Sequence, residues 1–162
     1  MVMRKIIIRK ALESDLDIII EYFKKLGIDM YNYGYYAISS LDKNWAEIKE
    51  KIKSNINDTN YIYLIAETSK ESKPVGYAEA RFSETFLAFE SIKQLHISCV
   101  YVEPAHRNIG IGKSIIDELV RIGKERGCKE VELSVLVNNP AFHMYKKMGF
   151  NEFTILMRKN IA

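Results

Sequence analysis

A chain of 162 residues, 48% apolar and 28% charged, can fill one core but not two, so a single domain over 1–162 is expected. A net charge of +3 demands no polyanionic partner; nucleic-acid binding is not expected, although a local basic patch for a phosphorylated small molecule is compatible with it. Cys99 and Cys128 form no C-x-x-C pair, and His96, His106 and His143 stand at no zinc-finger spacing, which points to a reduced compartment and no structural metal.

Ile6, Ile7 and Ile8 make too short a run for the core of a signal peptide, and no apolar stretch approaches the ~20 residues of a membrane span. A cytoplasmic protein without membrane partners is the expectation. In chain order, 6–9 reads as a short β-branched strand. Leu16, Ile19, Ile20, Phe23 and Leu26 then recur at helical spacing, with Glu13 or Ser14 near the start and Gly27 as the stop. A tyrosine-rich stretch (Tyr31, Tyr33, Tyr35, Tyr36) leads to a second helix with Trp45, Ile48, Ile52 and Ile56 on one face and Asp42 as its cap.

The period then changes. Residues 61–68 and 75–82 read as strands joined by the polar turn 69–74, and 95–102 as a third, longer strand. A helix from Gly110 to Arg126 carries Ile111, Ile115, Leu119 and Ile122 in register. Val131, Leu133, Val135 and Val137 alternate as a strand over 130–137. A short helix over 140–148 starts on Pro140, and 153–158 closes as a last strand. The order predicts a mixed α/β fold, with a right-handed parallel crossover from the third of these strands to the fourth.

Between the third strand and its helix lies Val100-Tyr101-Val102-Glu103-Pro104-Ala105-His106-Arg107-Asn108-Ile109-Gly110-Ile111-Gly112. The first amides of a helix lack internal partners and, with the dipole, favour an anion. Gly110 and Gly112 let a pyrophosphate approach the backbone, and Arg107 adds a cation on the approach. Two nucleotide motifs fail here. Gly112-Lys113-Ser114 imitates the end of a P-loop, but Arg107 stands where that loop needs glycine. A dinucleotide fingerprint needs glycine where Ile115 stands.

What fits is Arg-x-x-Gly-x-Gly between a strand and a helix. It resembles the coenzyme A-binding motif of the GNAT superfamily of N-acetyltransferases. About 30 residues on, Asn138-Asn139-Pro140-Ala141-Phe142-His143-Met144-Tyr145-Lys146-Lys147-Met148-Gly149-Phe150 looks like the same family's Asn-x-x-Ala-x-x-x-Tyr-x-x-x-Gly-Phe. The resemblance is strong over 95–150 and weak before Tyr61. It implies a GNAT-like fold: a mostly antiparallel sheet of six to seven strands, about four helices, and a splayed parallel pair in the middle. It also implies acetyl-CoA as co-substrate with no metal, a primary amine as acceptor, and direct attack in a ternary complex. The cofactor segment comprises Val100, Tyr101, Val102, Arg107, Asn108, Ile109, Gly110, Ile111, Gly112, Lys113 and Asn138.

Transfer to an amine needs the free base, and deprotonating an amine of pKa ~10.4 at pH 7 costs about 4.6 kcal/mol. His96 is the candidate base. It lies four residues before Val100, so simple alternation puts both side chains on one face of the strand, and family members carry Glu or His there. A bulge near Cys99 would upset that argument. Glu79, Glu84 or water are alternatives. Tyr145, with an ordinary pKa of ~10 against ~8.5 for a thiol, is the candidate acid for the leaving sulfur. The resemblance lets the backbone of Val100 and Val102 pair with pantetheine amides like an added strand, with the Val100 amide as oxyanion donor.

The family covers its acceptor with the first two helices and their loop, here Tyr31, Tyr33, Tyr35, Tyr36 and Trp45. Phe86, Leu87, Ala88 and Phe89 add apolar surface. Aromatic slot and plain packing both fit these residues, though Trp45 belongs to the second helix's apolar stripe. Lys146 and Lys147 face either the nucleotide end of the cofactor or water, and His143 and Phe150 receive no chemical role. A small amine, a peptide N-terminus and a lysine side chain all stay open as acceptors. So do a non-catalytic acyl-CoA-binding module and a nucleotide-binding domain. Dimers are common in the family, so a homodimer is expected.

Overall fold

In the computed structural model, which describes residues 5–34, 44–86, 91–159 and 161, one sheet holds five strands in chain order. They are β1 (Ile6–Lys10), β2 (Tyr61–Thr68), β3 (Pro74–Phe86), β4 (Ser91–Val102) and β5 (Glu130–Leu133). Each pair is antiparallel except β4 and β5, which run parallel because α3 (Ile111–Glu125) carries the chain back between them. Helices α1 (Leu16–Asn32) and α2 (Trp45–Ile56) pack on one face; α3 and α4 (Ala141–Lys147) pack on the other.

The core of this sandwich lies in two layers, one on each face of the sheet. On the α3 side, Leu64, Ala78, Ala80, Leu95 and Ile97 of the sheet meet Ile115, Ile116 and Leu119, all buried. On the α1 side, Tyr63, Ile65, Tyr77 and Tyr101 meet Ile19 and Tyr22. Strand β2 is therefore buried on both faces, which is why its sequence is apolar almost throughout instead of alternating. At Gly76 a Cβ would stand 2.8 Å from the Tyr101 carbonyl oxygen, so the close approach of β3 to β4 there requires glycine.

Several boundaries differ from the sequence reading. Helix α1 does not stop at Gly27, which is buried inside it; it runs on to Asn32, and the chain turns at Gly34, whose φ is +86°. Burial of Gly27 explains the residue as a packing position. Its start is organised by Asp15, not Glu13 or Ser14. The Asp15 carboxylate accepts from the Leu12 amide at 2.7 Å and from two Arg9 nitrogens at 2.7 and 2.9 Å. The Arg9 guanidinium holds that carboxyl below the usual range. The cap of α2 is Asn44, whose Oδ1 accepts from the Glu47 amide at 3.2 Å; Asp42 lies outside the described residues. The β3–β4 hairpin is longer than predicted, its outer end pairing Phe86 with Ser91.

The strand count is the larger correction. Five strands stand among the described residues, not six to seven. The predicted strand 130–137 pairs only through Leu133, and 153–158 joins no strand among the described residues. Phe153, Ile155, Leu156 and Met157 are 95, 85, 79 and 87% exposed, so the pattern that predicts a strand has no strand beside it among the described residues.

Candidate active site

The site is built where β4 and β5 part. Their register runs Gln94 to Glu130, Leu95 to Val131, His96 to Glu132 and Ile97 to Leu133, then ends. Beyond Ile97, β4 continues to Val102 with no strand along its β5 side among the described residues. The pairing with β3 shifts at the same level: Ala80 faces Ile97 and Glu79 faces Cys99, so Ser98 is an extra, exposed residue. This bulge reverses the facing of everything after it. Leu95 and Ile97 point to α3, as do Val100 and Val102, whereas Cys99 and Tyr101 point to α1. His96 thus lies on the α1 face, opposite Val100. The expectation that His96 and Val100 share a face is wrong, because that count assumed an unbroken two-residue alternation.

On the α1 face the sheet carries a polar row. Tyr61 pairs with Arg81, Arg81 with His96, and His96 with Glu132. His96 Nδ1 lies 3.0 Å from Glu132 Oε1, and the His96 side chain is 26% exposed. A carboxylate on Nδ1 fixes that nitrogen as the donor and leaves Nε2 as the acceptor. Glu132 was not singled out in the sequence; a carboxylate two residues into a strand parallel to the one bearing His96 is the only trace it leaves there. In the next row, Glu79 faces Cys99 beside Tyr63. Burial raises the Glu79 carboxyl and pushes the Cys99 thiol up to about 12, so this thiol is no nucleophile at neutral pH. Glu84 sits farther out on the hairpin, opposite Lys93, with Ser91 Oγ at 3.3 Å.

The turn after β4 is shaped by its own backbone. Residues Pro104–His106 form a single 3-10 turn, Asn108 takes a φ of 63°, and Gly110 takes +91° as the residue before α3. The first helical bond is Ser114 N–H to the Gly110 carbonyl, 2.9 Å. The amides before it have no helical carbonyl behind them, and no acidic side chain stands in the first turn. A Cβ at Gly110 would meet nothing within 4 Å, so the mouth of α3 opens on free space. One at Gly112 would lie 3.7 Å from the Met144 sulfur and 3.9 Å from a Val102 methyl, placing this turn against α4 and the end of β4. The Lys113 ammonium is paired with Asp117 at 2.6 Å, so Lys113 presents its amide to the mouth.

Arg107 is not a loose cation. Its Nε donates to the Val102 carbonyl at 2.8 Å, another nitrogen donates to Asp29 at 2.6 Å, and its guanidinium lies over the Tyr101 ring. With Lys25 on Glu103 at 2.6 Å, it ties the second half of α1 to the end of β4. The Val102 carbonyl, expected to face a ligand amide, is thereby occupied.

Helix α4 supplies the other wall. Asn139 Oδ1 accepts from the Ala141 amide at 2.9 Å and starts the helix, while Asn138 Nδ2 reaches the Tyr33 carbonyl at 3.4 Å. Tyr145 is 9% exposed within the α3-side core, its ring edge-on to Phe150 at 5.8 Å. Burial alone pushes its hydroxyl up to about 12. His96 and Tyr145 therefore stand on opposite faces of the sheet, and the parting of β4 from β5 is where the two faces communicate.

Of the residues expected to cover an acceptor, Tyr31 is exposed, Tyr33 half-buried, and Trp45 packs edge-on to Phe23 at 6.4 Å under Lys24, as the core reading of Trp45 expects. Tyr35, Tyr36, Leu87, Ala88 and Phe89, and the side chain of Phe86, lie outside the described residues. Lys146 pairs with Glu152, and Lys147 and His143 are exposed. Among the described residues, no group of three or more His, Cys, Asp or Glu side chains could hold a metal ion, and no helix is long and apolar enough to cross a membrane.

Comparison with known proteins places these features in context. Residues 20–150 match the acetyltransferase (GNAT) family. An uncharacterized N-acetyltransferase of Methanocaldococcus jannaschii is 32% identical over 148 residues, which cover 90% of this chain and 60% of that protein. An N-alpha-acetyltransferase of Sulfurisphaera tokodaii is 29% identical over 158 residues, 92% of this chain and 82% of that protein. Among solved structures, a mutant protein from Bacillus halodurans superposes with a TM-score of 0.83 at 19% identity, covering 96% of this chain and 99% of that one. A predicted acetyltransferase with acetyl-CoA from Clostridium acetobutylicum superposes with a TM-score of 0.76 at 21% identity, covering 97% of each chain.

Proposed function

Because the chain belongs to the acetyltransferase (GNAT) family, we propose that it binds acetyl-CoA and moves the acetyl group to a primary amine by direct attack in a ternary complex. One juxtaposition carries the reading: an open, acid-free helix mouth lies against Val102, at the end of the stretch of β4 that β5 leaves unpaired. A diphosphate needs amides without carbonyl partners and a backbone it can approach, and the segment Asn108, Ile109, Gly110, Ile111, Gly112, Lys113 offers both. Arg107 holds that segment in shape through Asp29 and Val102. Val100, Tyr101 and Val102 form the strand edge beside which the pantetheine arm would lie, and Asn138 stands across the opening to hydrogen-bond an amide.

Acetyl-CoA supplies an activated acyl group on a good leaving sulfur. The chain's own residues manage protons. Nε2 of His96, freed by Glu132 on Nδ1, accepts the proton of the incoming amine directly or through water. The Val100 amide is the donor proposed for the acyl oxygen. Tyr145 faces the sulfur. With its hydroxyl at about 12, it lies about 3.5 units above a thiol near ~8.5, a gap of about 4.8 kcal/mol. Its contribution is thus a hydrogen bond to charge developing on sulfur, ahead of outright proton release.

A peptide N-terminus is the second reading of the acceptor, supported by the Sulfurisphaera relative matched over 92% of this chain. The test is release of free thiol from acetyl-CoA with small amines, peptides bearing free N-termini and peptides with only lysine amines. Release with one class identifies it. A rise in melting temperature with acetyl-CoA but no release with any amine would make the chain a binding module. A rise with ATP or NAD but none with acetyl-CoA would refute the family's ligand here.

A further inference from the structure

Lys25 and Asp29 of α1, with Tyr33 just past its end, follow at four-residue steps and so share one face of the helix. That face meets the end of β4 with matched charges. Lys25 lies 2.6 Å from Glu103, and Asp29 accepts from Arg107 at 2.6 Å; Glu103 and Arg107 are themselves four residues apart. Sliding α1 by one turn would set Asp29 against Glu103, so the charge pattern fixes the helix lengthwise.

Arg107 passes this position on to the opening. The Glu103 amide donates to the Val75 carbonyl at 2.9 Å, and the carbonyl and amide of one trans peptide point opposite ways. The Val102 carbonyl therefore faces away from β3, along the stretch of β4 that β5 leaves unpaired, and there it accepts from Arg107 Nε at 2.8 Å. On the other wall, in the loop after β5, Asn138 Nδ2 donates to the Tyr33 carbonyl at 3.4 Å. The end of α1 is thus tied to both walls, unequally: the first tie is short and charge-assisted, the second long and exposed. Asp29 and Tyr33 stand about 6 Å apart along the helix. With a side chain's reach at each end, that spans the ~10 Å between two strands parted by an extended arm.

We propose that Asp29 and Asn138 are positioning residues for acetyl transfer, which seat the end of α1 across the cofactor arm and so set the wall that the acceptor amine meets; the seating rests on the acetyl-CoA reading above. Asp29 fixes the β4 end, through Arg107, before the ligand arrives. Asn138 closes the other end when it does. Its Nδ2 stays on the Tyr33 carbonyl while its Oδ1 accepts from an amide N–H of the pantetheine arm, and a bond at one end of an amide strengthens the bond at the other. The half-buried Tyr33 is thereby held at a fixed place relative to the thioester.

The experiment is hydrogen exchange on the full chain, with and without coenzyme A. Coenzyme A should slow the amides of residues 31–34 roughly 5- to 20-fold, along with those of 110–113. Asn138→Asp, which keeps an acceptor oxygen and loses the Nδ2 donor, should abolish the slowing at 31–34 and keep that at 110–113. Asp29→Asn should weaken coenzyme A roughly three- to tenfold in calorimetric titration, and no further in an Arg107→Ala background, because it acts through Arg107. Slowing at 110–113 with 31–34 unchanged in the parent overturns the seating and leaves the cofactor reading intact, whereas no slowing at either place overturns both. Slowing at 31–34 that survives Asn138→Asp, or an equal loss from Asp29→Asn in both backgrounds, also overturns the roles given to these residues. Should Asp29→Asn fail to fold, the exchange patterns of the parent and Asn138→Asp still decide.

Discussion

Glycines with the same backbone strain stand at both ends of α3, and replacing each separates ligand binding from stability. Gly110 has φ +91° and Gly127 +76°, and a Cβ at either would meet nothing within 4 Å. Alanine at each therefore carries only the cost of a left-handed backbone, about 1–2 kcal/mol. For a chain of this size that lowers the melting temperature by roughly 2–8 °C in both variants. Binding should differ. At Gly110 the backbone relieves its strain by turning the very amides that face the mouth, while Gly127 lies beyond the other end of the helix. Hydrogen bonds to a charged group contribute about 1.5–3 kcal/mol each, so losing the alignment of one weakens acetyl-CoA roughly 10- to 100-fold in Gly110→Ala. Gly127→Ala should bind like the parent. Calorimetric titration with acetyl-CoA, below the melting range of both variants, reads the difference. Equal affinity in Gly110→Ala and parent, or an equal loss in both variants, would refute a diphosphate site at this mouth.

Tyr145→Phe should lower kcat roughly 10- to 100-fold while acetyl-CoA affinity stays within about twofold, checked by thiol release and titration. Unchanged kcat would remove Tyr145 from the chemistry. Glu132→Gln should lower kcat/KM about two- to fivefold, the small end for a half-exposed bond, and should add nothing in a His96→Ala background; an equal loss in both backgrounds would show that Glu132 acts independently of His96. Asp15→Asn should destabilise the fold by about 2 kcal/mol at pH 7, measured by urea unfolding. Since Arg9 lowers the folded Asp15 carboxyl, its contribution is present above the unfolded value of ~3.9 and fades as pH falls through the folded one, so parent and variant should converge on acidification.

The strand–turn–helix at 95–125 was legible because three independent signals coincide there: alternation, a glycine pair and a helical stripe. The short helix bearing Tyr145 was legible from Pro140 at its start and from the motif that runs through it. Ser98 was not, since one extra residue leaves no mark in a run of small and β-branched side chains, and it alone turns Val100 to the face opposite His96. Arg107 has the sequence of a ligand contact, but its partners, Asp29 and the Val102 carbonyl, are set by how α1 crosses the sheet, a tertiary fact. Gly27 shows the complementary limit: glycine for packing and glycine for stopping a helix read identically until burial separates them.

A crystal structure of the full chain grown with coenzyme A examines the phosphate claim without intermediaries. The diphosphate should lie within hydrogen-bond distance of the amides of residues 110–113, with the pantetheine arm entering between β4 and β5 toward Tyr145. A diphosphate bound on any other surface, with that helix end still facing solvent, would contradict the assignment.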